Sequence, residues 1–406
     1  MNILFLSLLN YESVQERTLY TDLLREFVKN GHRVYAISPV ERRQKQKTHM
    51  IKEKGARILR LKIGNTQKTN IIEKGISTVM IEPRFKWAIR KYFSNVRFDL
   101  VLYTTPPITL VSAISYVKKR DGAKAYLLLK DIFPQNAVDI GMMRKTGWKG
   151  ILYRYFRKKE QRLYGISDHI GCMSPANVSY LLKHNPKVEP SKVDVCPNSF
   201  DVIDKSVNKE TRDMIRMKYG IPLDKMVFVY GGNLGRPQDV PFIIKCLKRC
   251  EKNEKVFFLI VGDGTEAHYL KEYIDANAPR NVLVMDRLPK EDYDTMVGAC
   301  DVGLIFLDHR FTIPNFPSRL LSYMQAKLPV LACTDSHTDL GRVVTEGGFG
   351  WWCKSDSVSG FCKLLKSIQI TEEIREKGFE YLKTHYSSEI SYNAIMNSIK
   401  CINKGV

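Results

Sequence analysis

No apolar run in the chain reaches the roughly 20 residues that would cross a bilayer without a charge. The amino-terminal stretch Ile3-Leu4-Phe5-Leu6 has no basic residues before it and no small-residue cleavage site after it. It therefore reads as a buried first strand and not as a signal peptide. Cysteine is present nine times, but no two cysteines form a CxxC and no histidine stands at finger spacing from them. A zinc site and a secreted disulfide framework are both disfavoured, and a reducing cytoplasm fits better. There is no low-complexity tract, no short repeat and no Gly-Lys-Ser/Thr phosphate loop. Acidic residues are scarce in one half only. Residues 1–200 hold 36 Lys+Arg against 16 Asp+Glu, whereas residues 201–406 hold 28 against 27. The excess points one half of the molecule toward an anionic surface, either a membrane or a nucleic acid. A solvated basic face without a partner is the plainer reading.

What is there is 406 residues, 44% of them hydrophobic, which suits two globular domains. Short apolar strands alternate with helical patterns. Strands are expected at 1–7, 33–37, 58–61, 99–103, 124–129, 168–172 and 193–196, with helices at 16–30, 83–93 and about 108–119. The polar stretch 201–208 reads as a linker. The same grammar then restarts, with strands at 226–230, 256–261, 282–285, 302–306 and 329–332. Helices are expected near 240–250, 266–277, 290–299 and 316–326, and a last one over 388–403. This pattern predicts parallel βαβ units, an α/β class with two doubly wound sheets. Ligands of such sheets bind at the carboxyl ends of the strands.

Three glycine-rich or capped junctions in the second half could serve a phosphate. The first is Gly231-Gly232-Asn233-Leu234-Gly235-Arg236 after a strand, where backbone N–H groups can approach an anion and Arg236 adds a planar cation. The second, Gly262-Asp263-Gly264, reads chiefly as a turn. The third is Phe316-Pro317-Ser318-Arg319, where Ser318 stands as a helix cap.

In order along the chain, these segments resemble the GT-B glycosyltransferases of family 4, particularly the subgroup that builds capsule, O-antigen and other lipid-linked oligosaccharides. Gly31-His32-Arg33-Val34, Thr104-Thr105-Pro106-Pro107, Lys130-Asp131-Ile132-Phe133-Pro134 and Pro197-Asn198-Ser199-Phe200-Asp201 carry the likeness in the first half. Gly232-Asn233-Leu234-Gly235-Arg236 and Pro317-Ser318-Arg319 with Tyr323-Met324 carry it in the second.

The resemblance implies an acceptor domain over 1–200 with a returning segment 387–406, and a nucleotide-sugar domain over 201–386, the two facing a cleft. It implies a retaining, metal-independent transfer from a UDP-linked donor, with no cofactor. Asp131, Arg236 and Arg319 are the implied catalytic residues. Gly232, Asn233, Leu234, Gly235, Asp263, Gly264, Leu288, Phe316, Pro317, Ser318 and Ser322 join the two arginines around the donor. Tyr11, Gln15, Arg17, Thr105 and Pro106 are implied on the acceptor side.

The chain also departs from the pattern. Pro314 and Ser322 occupy the positions of the family's Glu-x7-Glu, the donor-loop lysine is missing, and Asn10–Gln15 replaces the first glycine-rich loop. A catalytically silent subunit that partners other glycosyltransferases, or an epimerase on the same fold, therefore stands beside transfer. A nucleic-acid partner is not expected, because no recognition motif accompanies the charge. The basic, aromatic stretch 148–161 and its counterpart at 83–92 suit an anionic membrane surface. Trp87, Trp148, Arg154, Arg157 and Lys158 are the expected contacts of a peripheral protein on the cytoplasmic face, where a lipid-linked acceptor would be met.

Overall fold

The computed structural model describes residues 1–66 and 70–404. Residues 405 and 406 of the expected returning segment lie outside that set. The chain divides into two compact units, one formed by Met1–Asp201 with the last helix Ser388–Lys404, the other by Val202–Ser387.

Among its described residues the first unit holds eight strands: β1 (Asn2–Leu6), β2 (Arg33–Glu41), β3 (His49–Glu53), β4 (Ala56–Ile63), β5 (Leu100–Thr104), β6 (Lys124–Leu129), β7 (His169–Cys172) and β8 (Val193–Val195). They lie in the order β3-β4-β2-β1-β5-β6-β7-β8, and only β3 runs antiparallel to its neighbour. Buried on both faces, the parallel strands read as continuous apolar runs, as in Ile3–Leu6 and Leu100–Tyr103. The last helix packs on helix Thr21–Lys29 and on β7. Its Tyr392 ring meets Phe27 at 5.0 Å, and its Ser398 hydroxyl donates to Asp194 at 2.7 Å.

The second unit has six parallel strands: β9 (Met226–Asn233), β10 (Val256–Asp263), β11 (Val282–Met285), β12 (Val302–Phe306), β13 (Val330–Thr334) and β14 (Gly350–Lys354), in the order β11-β10-β9-β12-β13-β14. Phe228, Phe258, Phe306 and Phe361 centre its core. Each sheet reverses its strand order once, between β1 and β5 and between β9 and β12. Such switch points open a crevice at the carboxyl edge of a sheet.

Two expected helix boundaries move furthest. The helix expected from Glu16 starts at Thr21. The Glu16 carboxylate instead accepts the N–H groups of Glu12 and Ser13 at 2.6 and 3.0 Å, and the Thr18 N–H donates to the Thr21 hydroxyl at 2.9 Å. These side-chain bonds offer the backbone an alternative to helix. The helix expected to start at Pro83 spans Ile71–Tyr92, and Asn70 caps it by accepting from the Glu73 N–H at 2.8 Å. Pro83 lies inside it on an exposed side, so the carbonyl that its missing N–H leaves unserved is open to water. Residues 201–208 carry no regular structure, as a linker should. No helix among the described residues is long and apolar enough to cross a membrane.

Candidate active site

In the second unit the loops after β9 and β12 flank the switch point. Gly232 takes φ +126°, a conformation that a side chain would strain. At Gly231 a Cβ would fall 1.7 Å from the Tyr293 hydroxyl, so only glycine lets that ring cover the strand end. The loop is then locked from within. Gln238 Oε1 accepts from the Asn233 amide at 2.9 Å and from the Gly235 N–H at 3.2 Å. The Leu234 N–H donates to the Asp263 carbonyl at 2.8 Å, and the Glu266 N–H to the Leu234 carbonyl at 2.9 Å. Asp263 and exposed Gly264 thus brace the loop, while half-buried Leu288 stands after β11.

Arg319 is the central group. Its guanidinium carbon lies 4.3 Å from the Tyr230 ring centroid, and its Nη2 lies 3.3 Å from where a Gly232 Cβ would sit. Burial pushes the Tyr230, Tyr293 and Tyr323 phenols up and keeps them neutral. Tyr323 donates toward the Val229 and Leu304 carbonyls at 3.1 and 3.0 Å, which pins the helix that carries Arg319. No carboxylate among the described residues pairs with Arg319, and its Nη1 is buried with no hydrogen-bond partner. A buried, unserved cationic donor costs stability and calls for an acceptor. An anion beside the Gly232 loop would supply it.

Arg236 is half-exposed and faces Glu266 at 3.7 Å, a partner that sequence reasoning missed. Ser318 does not cap its helix with its side chain: it already has helical φ and ψ, so its hydroxyl is not presented to the first N–H groups. Phe316 is buried against Tyr386, Pro317 is half-buried, and Ser322 is half-buried on the same helix as Arg319. Asp239, Asp308 and His309 could approach one cation. Arg310 already binds both Asp308 oxygens at 2.5–3.1 Å, so one of the two carboxylates is neutralised from within the chain.

In the first unit Asp131 follows β6. Its two carboxylate oxygens accept from the Asn136 amide at 2.7 and 2.9 Å. The Thr105 hydroxyl accepts from the Lys130 and Asp131 N–H groups at 3.0 and 3.1 Å and donates to the Asp131 carbonyl at 3.0 Å. Burial pushes the carboxyl up to about 6, against the pull of the Ile132 N–H and Asn136. Tyr20, absent from the sequence expectations, lies close enough to feel that carboxylate. Its own phenol is pushed up to about 12, chiefly by burial. Lys130 donates to the Cys196 carbonyl at 3.0 Å, and burial lowers its pKa.

The other residues expected on the acceptor side separate. The Tyr11 ring belongs to the core, and its backbone carbonyl takes the buried Arg60 guanidinium at 2.5 Å. Arg60, which also donates to the Ser38 hydroxyl at 2.8 Å, thereby holds the Asn10–Gln15 segment that replaces the first glycine-rich loop. Arg17 pairs with Asp201 at 3.2 Å, Gln15 and Pro106 are exposed, and Thr105 is buried. On the expected membrane face Trp148 is 79% and Trp87 47% exposed. Arg154 and Lys158 are exposed, and Ile151, Leu152 and Tyr155 extend the patch. Arg157 does not belong to it. It pairs with buried Glu160 and donates to the His184 carbonyl and Asn185 at 2.9 and 2.6 Å, so its charge is spent within the fold.

Residues 16–203 match the Glycosyltransferase Family 4 model, and residues 211–383 match Glycosyl transferases group 1. Pseudomonas aeruginosa WbjE, named as a glycosyltransferase, is 25% identical over 76% of this chain and 74% of its own length. Escherichia coli K12 WcaI, named for colanic acid biosynthesis, is 19% identical over 74% of each. Anabaena Alr3699/HepE, solved in complex with UDP, shares the fold with a TM-score of 0.68 at 14% identity, over 98% of this chain and 100% of that one. The two family models tile both units in the order the motifs predict, and the chain belongs to the GT-B glycosyltransferases of family 4.

Proposed function

We propose that this glycosyltransferase moves a sugar from a UDP-linked donor to a lipid-linked or growing saccharide acceptor, with retention at the anomeric carbon and without a metal. The observation that carries the reading is the unserved, buried Nη1 of Arg319 beside the Gly232 loop. A diphosphate there would satisfy that donor, and Arg236 would add a second cation. Charge on the leaving diphosphate grows as its bond to the anomeric carbon breaks, and a fixed guanidinium stabilises that growth. The acceptor oxygen forms the new bond to the same carbon, and its proton passes to Asp131 or to the departing diphosphate.

The names of WcaI and of the UDP-bound HepE support polysaccharide biosynthesis and a uridine donor. The exposed Trp148, Ile151 and Leu152 among Arg154 and Lys158 support peripheral docking on an anionic membrane. Ser322 and Pro314 in place of two glutamates favour one rival, a silent partner subunit. Turnover decides between the two. Purified protein given a panel of nucleotide sugars in excess EDTA should release the nucleotide diphosphate from one of them. Release from none, with nucleotide still bound, would establish the silent reading.

A further inference from the structure

A groove of about 1240 Å³ lies in the first unit between the end of β4 and helix Ile71–Tyr92. Its apolar wall is Ile63, Ile76 and Met80, and its cations are Arg42, Lys62 and Arg84. Gly64 packs so closely on Ser77 that a Cβ would fall 2.2 Å from the serine hydroxyl, which joins strand end and helix along the floor. Glu73 is the acidic lining residue, and it is already held by Arg42 at 2.6 Å and by the Asn65 amide at 2.8 Å. Arg84 donates only to the Lys62 carbonyl at 3.3 Å, and neither Lys62 nor Arg84 has a carboxylate partner among the described residues. The groove therefore carries uncompensated positive charge against an apolar wall. That wall continues onto solvent-exposed Ile76 and Val79, 63% and 65% exposed. A phosphate alone would leave those side chains in water, and a hydrocarbon alone would leave the cations unmatched.

We propose that this groove binds the phosphate-bearing end of a lipid: Lys62 and Arg84 on the phosphate, Ile76, Val79 and Met80 along the first part of the chain. The proposal rests on the lipid-linked acceptor proposed above and assigns it a place. Register locates that place. Leu59 of β4, Ile37, Leu6, Tyr103 and Leu127 of β6 form one row across the sheet. Ile63 and Asp131 each stand four residues beyond that row. The two sites thus share the carboxyl edge, four strand spacings apart, about 19 Å at 4.8 Å each. An acceptor held by its phosphate in the groove reaches Asp131 only with more than one sugar between phosphate and reacting hydroxyl.

The test uses the full chain and neutral-lipid nanodiscs that contain a long-chain isoprenoid phosphate. Matched discs with phosphatidylglycerol and free inorganic phosphate serve as the other arms. Wild type should bind the isoprenoid-phosphate discs at least tenfold more tightly than the phosphatidylglycerol discs. Millimolar inorganic phosphate should displace little of it. Lys62→Gln with Arg84→Gln, and separately Ile76→Gln with Met80→Gln, should each lose that preference while UDP affinity stays unchanged. Equal binding to both anionic discs, full displacement by inorganic phosphate, or wild-type preference in both double variants would overturn the groove. Donor turnover is scored in parallel with a soluble acceptor. A protein that turns over donor without the disc preference loses the groove alone. A protein that shows the preference without turnover keeps the groove and loses the transferase reading.

Discussion

Replacing Asp131 by Asn should make the protein's stability respond differently to pH, by an amount that follows from its surroundings. Burial raises its native carboxyl to about 6 from an ordinary 3.8. The native state therefore holds a proton that the unfolded chain releases, and stability falls as pH climbs from about 3.8 through about 6. At 1.36 kcal/mol per pKa unit the ionised group costs about 3 kcal/mol at pH 7.5, an upper bound because its partial exposure lets solvent screen it. At pH 4.5 the same linkage leaves a cost of about 1 kcal/mol. Asn removes the titration and exchanges one acceptor oxygen for a donor, a change of about 1 kcal/mol that is the same at both pH values. The difference between variant and wild type should thus move by about 2 kcal/mol in the variant's favour between pH 4.5 and 7.5. Urea unfolding of both proteins at constant ionic strength reads that shift. A difference that does not change with pH would mean that the carboxyl is hydrated and unperturbed, and the reasoning would fail.

Arg236→Ala should weaken UDP binding by about 1.5–3 kcal/mol in calorimetry, the scale of a hydrogen bond to a charged group; its contact with Glu266 on the rim adds little. Gly231→Ala should destabilise by more than 2 kcal/mol in denaturant melts, on the scale of core overpacking, and Tyr293→Ala in the same chain should recover part of the loss. Arg154→Gln with Lys158→Gln should reduce sedimentation with anionic vesicles at low salt and leave Tm near wild type. Arg157→Gln should instead cost about 3 kcal/mol in melts by leaving Glu160 buried without its partner, and should not change vesicle binding.

The parallel strands were legible because a strand buried on both faces is written as an uninterrupted apolar run, and the donor loop because its glycines follow one. The edge strand β3 was not legible: His49–Glu53 is polar and half-exposed, and pairing with β4 alone makes it a strand. Helix Ile71–Tyr92 was cut at Pro83 because sequence reasoning places proline at a helix start, a rule that exposure relaxes. At the site, Arg236, Arg319 and Asp131 could be named from local motif. Their partners could not. Tyr293 covering Gly231, Glu266 facing Arg236 and Tyr20 near Asp131 are set by chain topology, and no short window contains both members of any pair. Two adjacent glycines do signal that something large approaches, without saying what. The same limit put Arg157 on a membrane face, since its composition matched and only the fold brings Glu160, His184 and Asn185 together around it.

Donor binding by the Arg319 guanidinium is tested by Arg319→Met, since methionine keeps an unbranched side chain near Tyr230 and removes the charge. Calorimetry with UDP on both proteins should show at least a tenfold loss of affinity in the variant, about 1.4 kcal/mol or more, with circular dichroism unchanged. Wild-type affinity in a folded Arg319→Met protein would remove Arg319 from the donor site and place the diphosphate elsewhere.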